Sequence, residues 1–288
     1  MIGRRLLHYD VLDKFGEGGM GAVYKARDRR LDRLVALKFL TRLLEPPEAG
    51  RALLLREAKA ISALSHPNIA TIFDVEEVDG ETFLVLEYLP GPTLRSKIVT
   101  ASAAGRGLPF SEVIGCVSQM AQGLAHAHRR GIIHRDVKPG NAIFSAEGLL
   151  KLTDFGLAKL LSGPQITRPG TLMGTVSYMS PEQAEGRPTD ARTDVFSLGV
   201  VLYEMLAGQP PFQGEHESAV LYQIVHAAPP PLARFRPGVP PCRRWPSARV
   251  RAAGATPARP RSASCVARWW KHGREPGCAG GRCCWLFC

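Results

Sequence analysis

The hydrophobic pattern of this chain changes period once, near residues 87–93. Before that point, short runs rich in valine, tyrosine, phenylalanine and leucine (YDVLDKFGEG, AVYKARD and RLVALKFL within 9–40) are broken by glycine and aspartate, which reads as strands joined by turns. A helix is expected over 48–65. The stretch IATIFDVEEVDGETFLVLEYL, 69–89, then reads as a strand, an Asp-Gly turn and a strand. From residue 110 the apolar residues follow a helical period, at 113, 114, 117, 120, 121, 124 and 127, with Gly131 as a stop. Residues 194–207 are apolar almost all round, so their helix should be buried. A β-rich unit with one helix, followed by a larger helical unit, makes an α+β chain of two lobes, here 9–90 and 91–240.

With 288 residues, 45% of them hydrophobic, the chain can bury a sizeable core, and global disorder is excluded. No stretch approaches the roughly 18 consecutive apolar residues of a membrane span, and the start has no apolar signal region. A cytoplasmic protein without a membrane span is expected. The net charge of +11 points towards nucleic acid until it is divided: residues 241–288 hold ten Lys/Arg and a single acid, leaving the body near neutral. No specific nucleic-acid partner is expected. Six of the seven cysteines and all four tryptophans also lie beyond residue 240, and Cys116 alone in the body suits a reducing compartment.

Several motifs carry chemistry. Gly16-Glu17-Gly18-Gly19-Met20-Gly21-Ala22-Val23 is a G-x-G-x-x-G-x-V loop, whose glycines let backbone N–H groups approach phosphate oxygens. A strand pattern follows it, not a helix, which disfavours a dinucleotide-binding fingerprint. Lys38 ends Val35-Ala36-Leu37-Lys38 on an apolar strand. On the 48–65 helix, Leu53, Leu54, Ala60, Ile61 and Leu64 fall within about 60° of Glu57 at the helical repeat. A carboxylate at the centre of an apolar stripe needs a cation, and Lys38 is the candidate. Most specific is His134-Arg135-Asp136-Val137-Lys138-Pro139-Gly140-Asn141, followed by Asp154-Phe155-Gly156 and, after a Gly/Thr-rich loop, Ser180-Pro181-Glu182.

These elements, in this order, resemble the eukaryotic-type (Hanks-type) serine/threonine protein kinases, and GEGGMGAVYKARD with GTVSYMSPEQA resembles the bacterial branch. The resemblance covers roughly 9–235. It implies a bilobal protein-kinase-like fold that transfers the γ-phosphate of ATP to Ser/Thr hydroxyls of proteins, with ATP and Mg²⁺ bound. It further implies that Gly16, Glu17, Gly18, Gly19 and Gly21 cover the triphosphate and that Lys38, held by Glu57, binds the α/β-phosphates. Asn141 and Asp154 would hold the metal, Asp136 would accept the hydroxyl proton and Lys138 would neutralise the γ-phosphate. By the same pattern Val23, Ala36 and Ile143 sandwich adenine, Glu87 and Leu89 bond it through backbone groups, and Leu86 is the gatekeeper. Lys138-Pro139 is the serine/threonine form, in which Thr175 bridges Asp136 and Lys138. Arg135 implies a phosphate on the loop 157–179, with Thr167 and Thr171 as acceptors, Ser162 behind them, and transient self-association for autophosphorylation.

The resemblance stops near Cys242. The family continues with helices carrying an arginine that pairs with the glutamate here at 182, whereas residues 241–288 turn to Arg, Pro, Ala, Gly, Cys and Trp without an apolar stripe. A GC-rich gene read out of frame near codon 241 gives such a composition. The expectation is therefore a helical lobe incomplete at its end, an aberrant disordered tail, and poor stability or low activity, with an inactive nucleotide-binding or interaction module as the alternative function. A natural metal- or nucleic-acid-binding tail is disfavoured because Cys278, Cys283, Cys284 and Cys288 lack C-x-x-C pairs.

Overall fold

The computed structural model describes residues 1–18, 21–39, 47–155 and 176–237, with backbone alone for 17, 18 and 47–54. The first lobe is a six-stranded antiparallel sheet. Its strands are β1 (Arg5–Leu6), β2 (Tyr9–Gly18), β3 (Gly21–Asp28), β4 (Arg33–Phe39), β5 (Ile72–Val78) and β6 (Glu81–Glu87), in the order β1-β2-β3-β4-β6-β5, with helix α1 (Pro47–Ser62) between β4 and β5. The expected Asp-Gly turn joins β5 to β6. Asp79 and Gly80 both have positive φ, 53° and 78°, which a two-residue turn matched to the strand twist requires. Period-2 alternation divides the sheet's faces. Tyr24, Ala26, Val35, Leu37, Phe39, Phe83 and Val85 pack with Tyr9 and Val11 as the lobe's core, while Val23, Ala36 and Lys38 stand on the opposite face of β3 and β4.

Residues 88–93 lead into the second lobe, whose helices among the described residues are α2 (Leu94–Ala103), α3 (Phe110–His128), α4 (Pro181–Ala184), α5 (Ala191–Ala207) and α6 (Glu217–His226), with a hairpin of β7 (Ala142–Phe144) and β8 (Leu150–Leu152). The linker pairs with that hairpin: Gly91 N–H donates to Phe144 O (3.0 Å) and Phe144 N–H to Pro92 O (3.1 Å). A Cβ on Gly91 would lie 2.4 Å from the Phe144 oxygen, so this approach requires glycine. As the periodicity predicts, α3 buries Val113, Val117, Met120, Ala121, Leu124 and Ala127. α5 is buried on nearly every side and ends at Gly208 (φ 78°). It starts one turn before the apolar run because the Asp190 side chain accepts from the Arg192 N–H, 2.8 Å, and caps it. Helix α2 is weakly announced, with Leu94 and Ile98, one turn apart, as its buried residues; its further signal is the Thr93 cap, whose hydroxyl accepts from Ser96 N–H at 3.1 Å. Residues 241–288, with the expectations attached to them, lie outside the described residues.

Candidate active site

Between the lobes, the ends of β4, β8 and the segment 134–141 bring charged side chains together. Lys38 is buried opposite Val23, and its Nζ lies 2.7 Å from Asp154 Oδ1. A buried ammonium requires such a partner. Burial alone would raise the Asp154 carboxyl, but the adjacent Lys38, with His134 and Lys138 beyond it, outweighs that and holds it below the ordinary carboxylate value. Asp136 stands on the other side of the site. Lys138 Nζ lies 2.8 Å from its Oδ2, and Asn141 Nδ2 donates to the same oxygen (2.8 Å) and to its carbonyl (2.9 Å).

Two residues here have positive φ without being glycine, Arg135 at 63° and Asp154 at 62°. Such backbone costs of order 1–3 kcal/mol and persists where the surroundings fix it. Around Arg135 those surroundings are explicit. The Asp194 carboxylate, fully buried on the first turn of α5, accepts from His134 N–H and Arg135 N–H, both at 2.8 Å, and pairs with His128 Nε2 at 2.6 Å. Gln183 Nε2 donates to Arg135 O (2.8 Å), and the Arg135 Nε donates to Thr189 Oγ1 (3.2 Å). The His134 ring packs on buried Phe155, with centroids 4.4 Å apart.

Other expected residues divide by location. Gly16, Gly18 and Gly21 lie at the end of the β2–β3 hairpin, where Gly16 faces Val23 and Gly18 faces Gly21. Gly21 has φ 121°. Val23 and Ala36 are half-buried on the sheet's cleft face, Leu86 and Glu87 close β6, Leu89 follows, and Ile143 on β7 bridges to Thr93. Gly19, Gly156, Ser162, Thr167, Thr171 and Thr175 lie outside the described residues, as does the side chain of Glu17.

Glu57 departs from expectation. Helix α1 turns Ala58 and Ile61 inward and leaves Ala60 exposed, so Glu57 is half-buried at the edge of the buried face instead of at its centre. At that edge water can solvate the carboxylate, and no ion pair joins Glu57 to Lys38 among the described residues; Lys38 is on Asp154 instead.

Sequence reasoning also missed residues. Asp194 had a readable signal, a carboxylate on a helix apolar all round, which demands buried donors. His128, Gln183 and Thr189 had none. At the strand leading into the glycine loop, Phe15 stacks on Tyr88 of the linker (centroids 5.6 Å, 20° between planes), with Lys25 Nζ 4.8 Å from the centroid of the Tyr88 ring.

An antiparallel sheet with one helix above a helical lobe, with lysine, two aspartates and an asparagine converging between them, is the architecture of protein kinases. The family model described as protein kinase domain matches residues 9–238. The chain is similar to the serine/threonine-protein kinases PrkC of Bacillus subtilis (39% identical over 241 residues, 83% of this chain and 37% of that protein) and PknB of Mycobacterium tuberculosis (42% over 233 residues, 78% and 37%). Among solved structures it is similar to the Mycobacterium tuberculosis PknI kinase domain, with TM-score 0.64, 27% identity, and coverage of 82% of this chain and 84% of that one. The chain belongs to the protein kinase family. It spans little more than a third of the length of these curated relatives, and no helix among the described residues is long and apolar enough to cross a membrane.

Proposed function

We propose that this chain is an ATP-dependent protein serine/threonine kinase, with 9–90 and 91–240 as the two halves of its catalytic unit. The observation that carries the reading is the convergence of Lys38, Asp154, Asp136, Lys138 and Asn141 at one cleft, each oriented by a contact of its own. Phosphoryl transfer needs positioning and charge neutralisation more than covalent help, and these residue types supply both.

The donor set fits Mg²⁺. Both Asn141 N–H donors of the amide are directed at Asp136, which leaves the amide oxygen for a hard cation, and Asp154 offers carboxylate oxygens. Asp154 and Asn141 would hold the ion, which when bound neutralises phosphate charge. Gly16, Gly18 and Gly21 cover the triphosphate, and Lys38 exchanges part of its contact with Asp154 for the α/β-phosphate oxygens. The adenine lies between Val23 and Ala36 above and Ile143 below, against Glu87 and Leu89. The Glu87 N–H is already used by Thr71 O (2.9 Å), so its share of the base contact falls to its carbonyl.

Asp136, fixed by Lys138 and Asn141, accepts the proton of the substrate hydroxyl as its oxygen bonds to the γ-phosphorus. The bond from that phosphorus to the bridging oxygen breaks and ADP leaves. Lys138 stays beside the transferring group. Proteins bearing serine or threonine are the substrates, and Thr167 and Thr171 are acceptors of autophosphorylation through transient self-association, giving Arg135 a charge-assisted partner.

The test is transfer from radiolabelled MgATP to a generic Ser/Thr substrate by the chain and by Lys38→Met and Asp136→Asn. Both variants should lose several orders of magnitude, as expected when positioned electrostatics are removed. Full activity in either folded variant would overturn the assignment.

A further inference from the structure

The Glu87 side chain does work that its backbone role leaves unaccounted for. Its Oε1 lies 2.7 Å from Lys151 Nζ, and its Oε2 accepts from Thr71 N–H at 3.1 Å. The backbone adds Glu87 N–H to Thr71 O at 2.9 Å. Three segments meet here: the end of β6, the entry to β5 and the centre of β8. Lys151 stands opposite Ile143 in the β7–β8 hairpin, three residues before Asp154. Both carboxylate oxygens are used, and the pair is largely out of water, with side-chain exposures of 14% for Lys151 and 23% for Glu87.

An exposed ion pair contributes little because water screens it and long side chains lose entropy in forming it. This pair is better shielded. It also joins the upper wall of the cleft, through Thr71 and β6, to the hairpin that forms its floor. We propose that Lys151 and the Glu87 carboxylate are a positioning pair for the adenine end of the nucleotide site. They hold the Glu87 carbonyl and the linker behind it at a fixed height above Ile143, so that a purine fits between without rearrangement of the strand. The inference rests on the reading of this cleft as a nucleotide site. A base held by two backbone groups requires them in place before it arrives, and misplacement by a fraction of an ångström weakens both contacts together.

Because the pair acts on the base end, its loss has a particular signature. In calorimetric titrations of the full chain, Lys151→Met should weaken MgATP and adenosine by the same factor, about three- to tenfold, the range that ion pairs shielded beyond the surface average deliver. Inorganic tripolyphosphate, which lacks the base, should bind as to the parent. Lys151→Arg keeps the charge and should stay within about twofold of the parent. Glu87→Gln removes the ion pair from the other side while keeping an acceptor for Thr71 N–H. Combined with Lys151→Met it should be no worse than either alone, since both delete one interaction. In transfer assays Lys151→Met should raise KM for ATP and leave kcat within about twofold.

Unchanged adenosine affinity in Lys151→Met or in Glu87→Gln would overturn the inference. So would equal weakening of tripolyphosphate, which marks general loosening of the cleft. Should Lys151→Met fail to fold, Glu87→Gln decides by the same titrations. The kinase reading fails separately, by a parent chain that binds MgATP and transfers no phosphate, in which case the binding measurements still judge the pair.

Discussion

Replacing Asp194 by asparagine removes one charge and no volume from the most connected buried group near the site. The carboxylate receives Arg135 N–H on one oxygen and His134 N–H and His128 Nε2 on the other. An asparagine has one acceptor oxygen. Set towards His134 and His128, it turns its NH₂ at the Arg135 N–H, donor against donor; set the other way, it leaves two groups unsatisfied. A hydrogen bond to a charged acceptor is worth about 1.5–3 kcal/mol and a buried unsatisfied donor costs about 1–3 kcal/mol, so a net loss of about 2–3 kcal/mol follows for the better orientation. For a domain of this size that lowers the melting temperature by about 5–10 °C. A kinetic effect should accompany the thermodynamic one, because the released N–H groups belong to the residues before Asp136 and hold Arg135 at its positive φ. In assays of thermal melting and of kcat and KM on the same preparation, kcat should fall at least tenfold with KM for ATP nearly unchanged. An Asp194→Asn chain that melts and turns over like the parent would refute the claim that this carboxylate fixes the segment 134–136.

Glu57→Gln should leave the melting temperature within about 1 °C of the parent, because a half-solvated carboxylate with no ion pair among the described residues contributes within about 0.5 kcal/mol; a drop of several degrees would mean that Glu57 is paired. His66 and His126 face each other with ring centroids 4.9 Å apart, and both lie below the ordinary imidazole value, held there first by burial and then by the His126 charge for His66 and the Arg130 charge for His126. A depressed folded-state value means the unfolded chain binds more protons, so stability present above about pH 6.5 is lost as pH falls through the folded values. Melting should be lower at pH 5.5 than at pH 7.5, with part of that difference removed in a chain carrying His66→Asn and His126→Asn; an undiminished difference would assign the effect elsewhere.

The parts of the fold that could be read were those where local chemistry agrees with the tertiary setting. The Asp79-Gly80 turn, the one-sided α3 and the all-round apolar α5 each announce their environment by residue type alone, and the structure contains all three. Helix α2 is weakly marked, since two buried residues one turn apart are too few to define a period on their own. The rotation of α1 was missed for a related reason. Its apolar residues cover a wide arc, so a wheel centred on Glu57 and one centred on Ala58 and Ile61 fit the pattern almost equally. What separates them is the surface the helix meets, β5, which no local window contains.

The site divides along the same line. Asp136, Lys138 and Asn141 occupy one octet, and their mutual contacts span at most five residues, so their chemistry is legible wherever that octet occurs. Asp194 reaches back 60 residues to His134, Gln183 reaches 48 to Arg135, and Lys151 reaches 64 to Glu87. Each is an ordinary residue for its element, a carboxylate near a helix start, a glutamine in a capping box, a lysine on a short strand, and each takes its role from the partner the fold delivers. The residues proposed to act on a phosphate must be of particular types, and each sits in a short motif of its own. Those that hold the actors in place need only complementary donors and acceptors at the right distance, and many types on many segments can supply them. That asymmetry makes the reacting groups readable from a single chain and leaves their supports to be found in three dimensions.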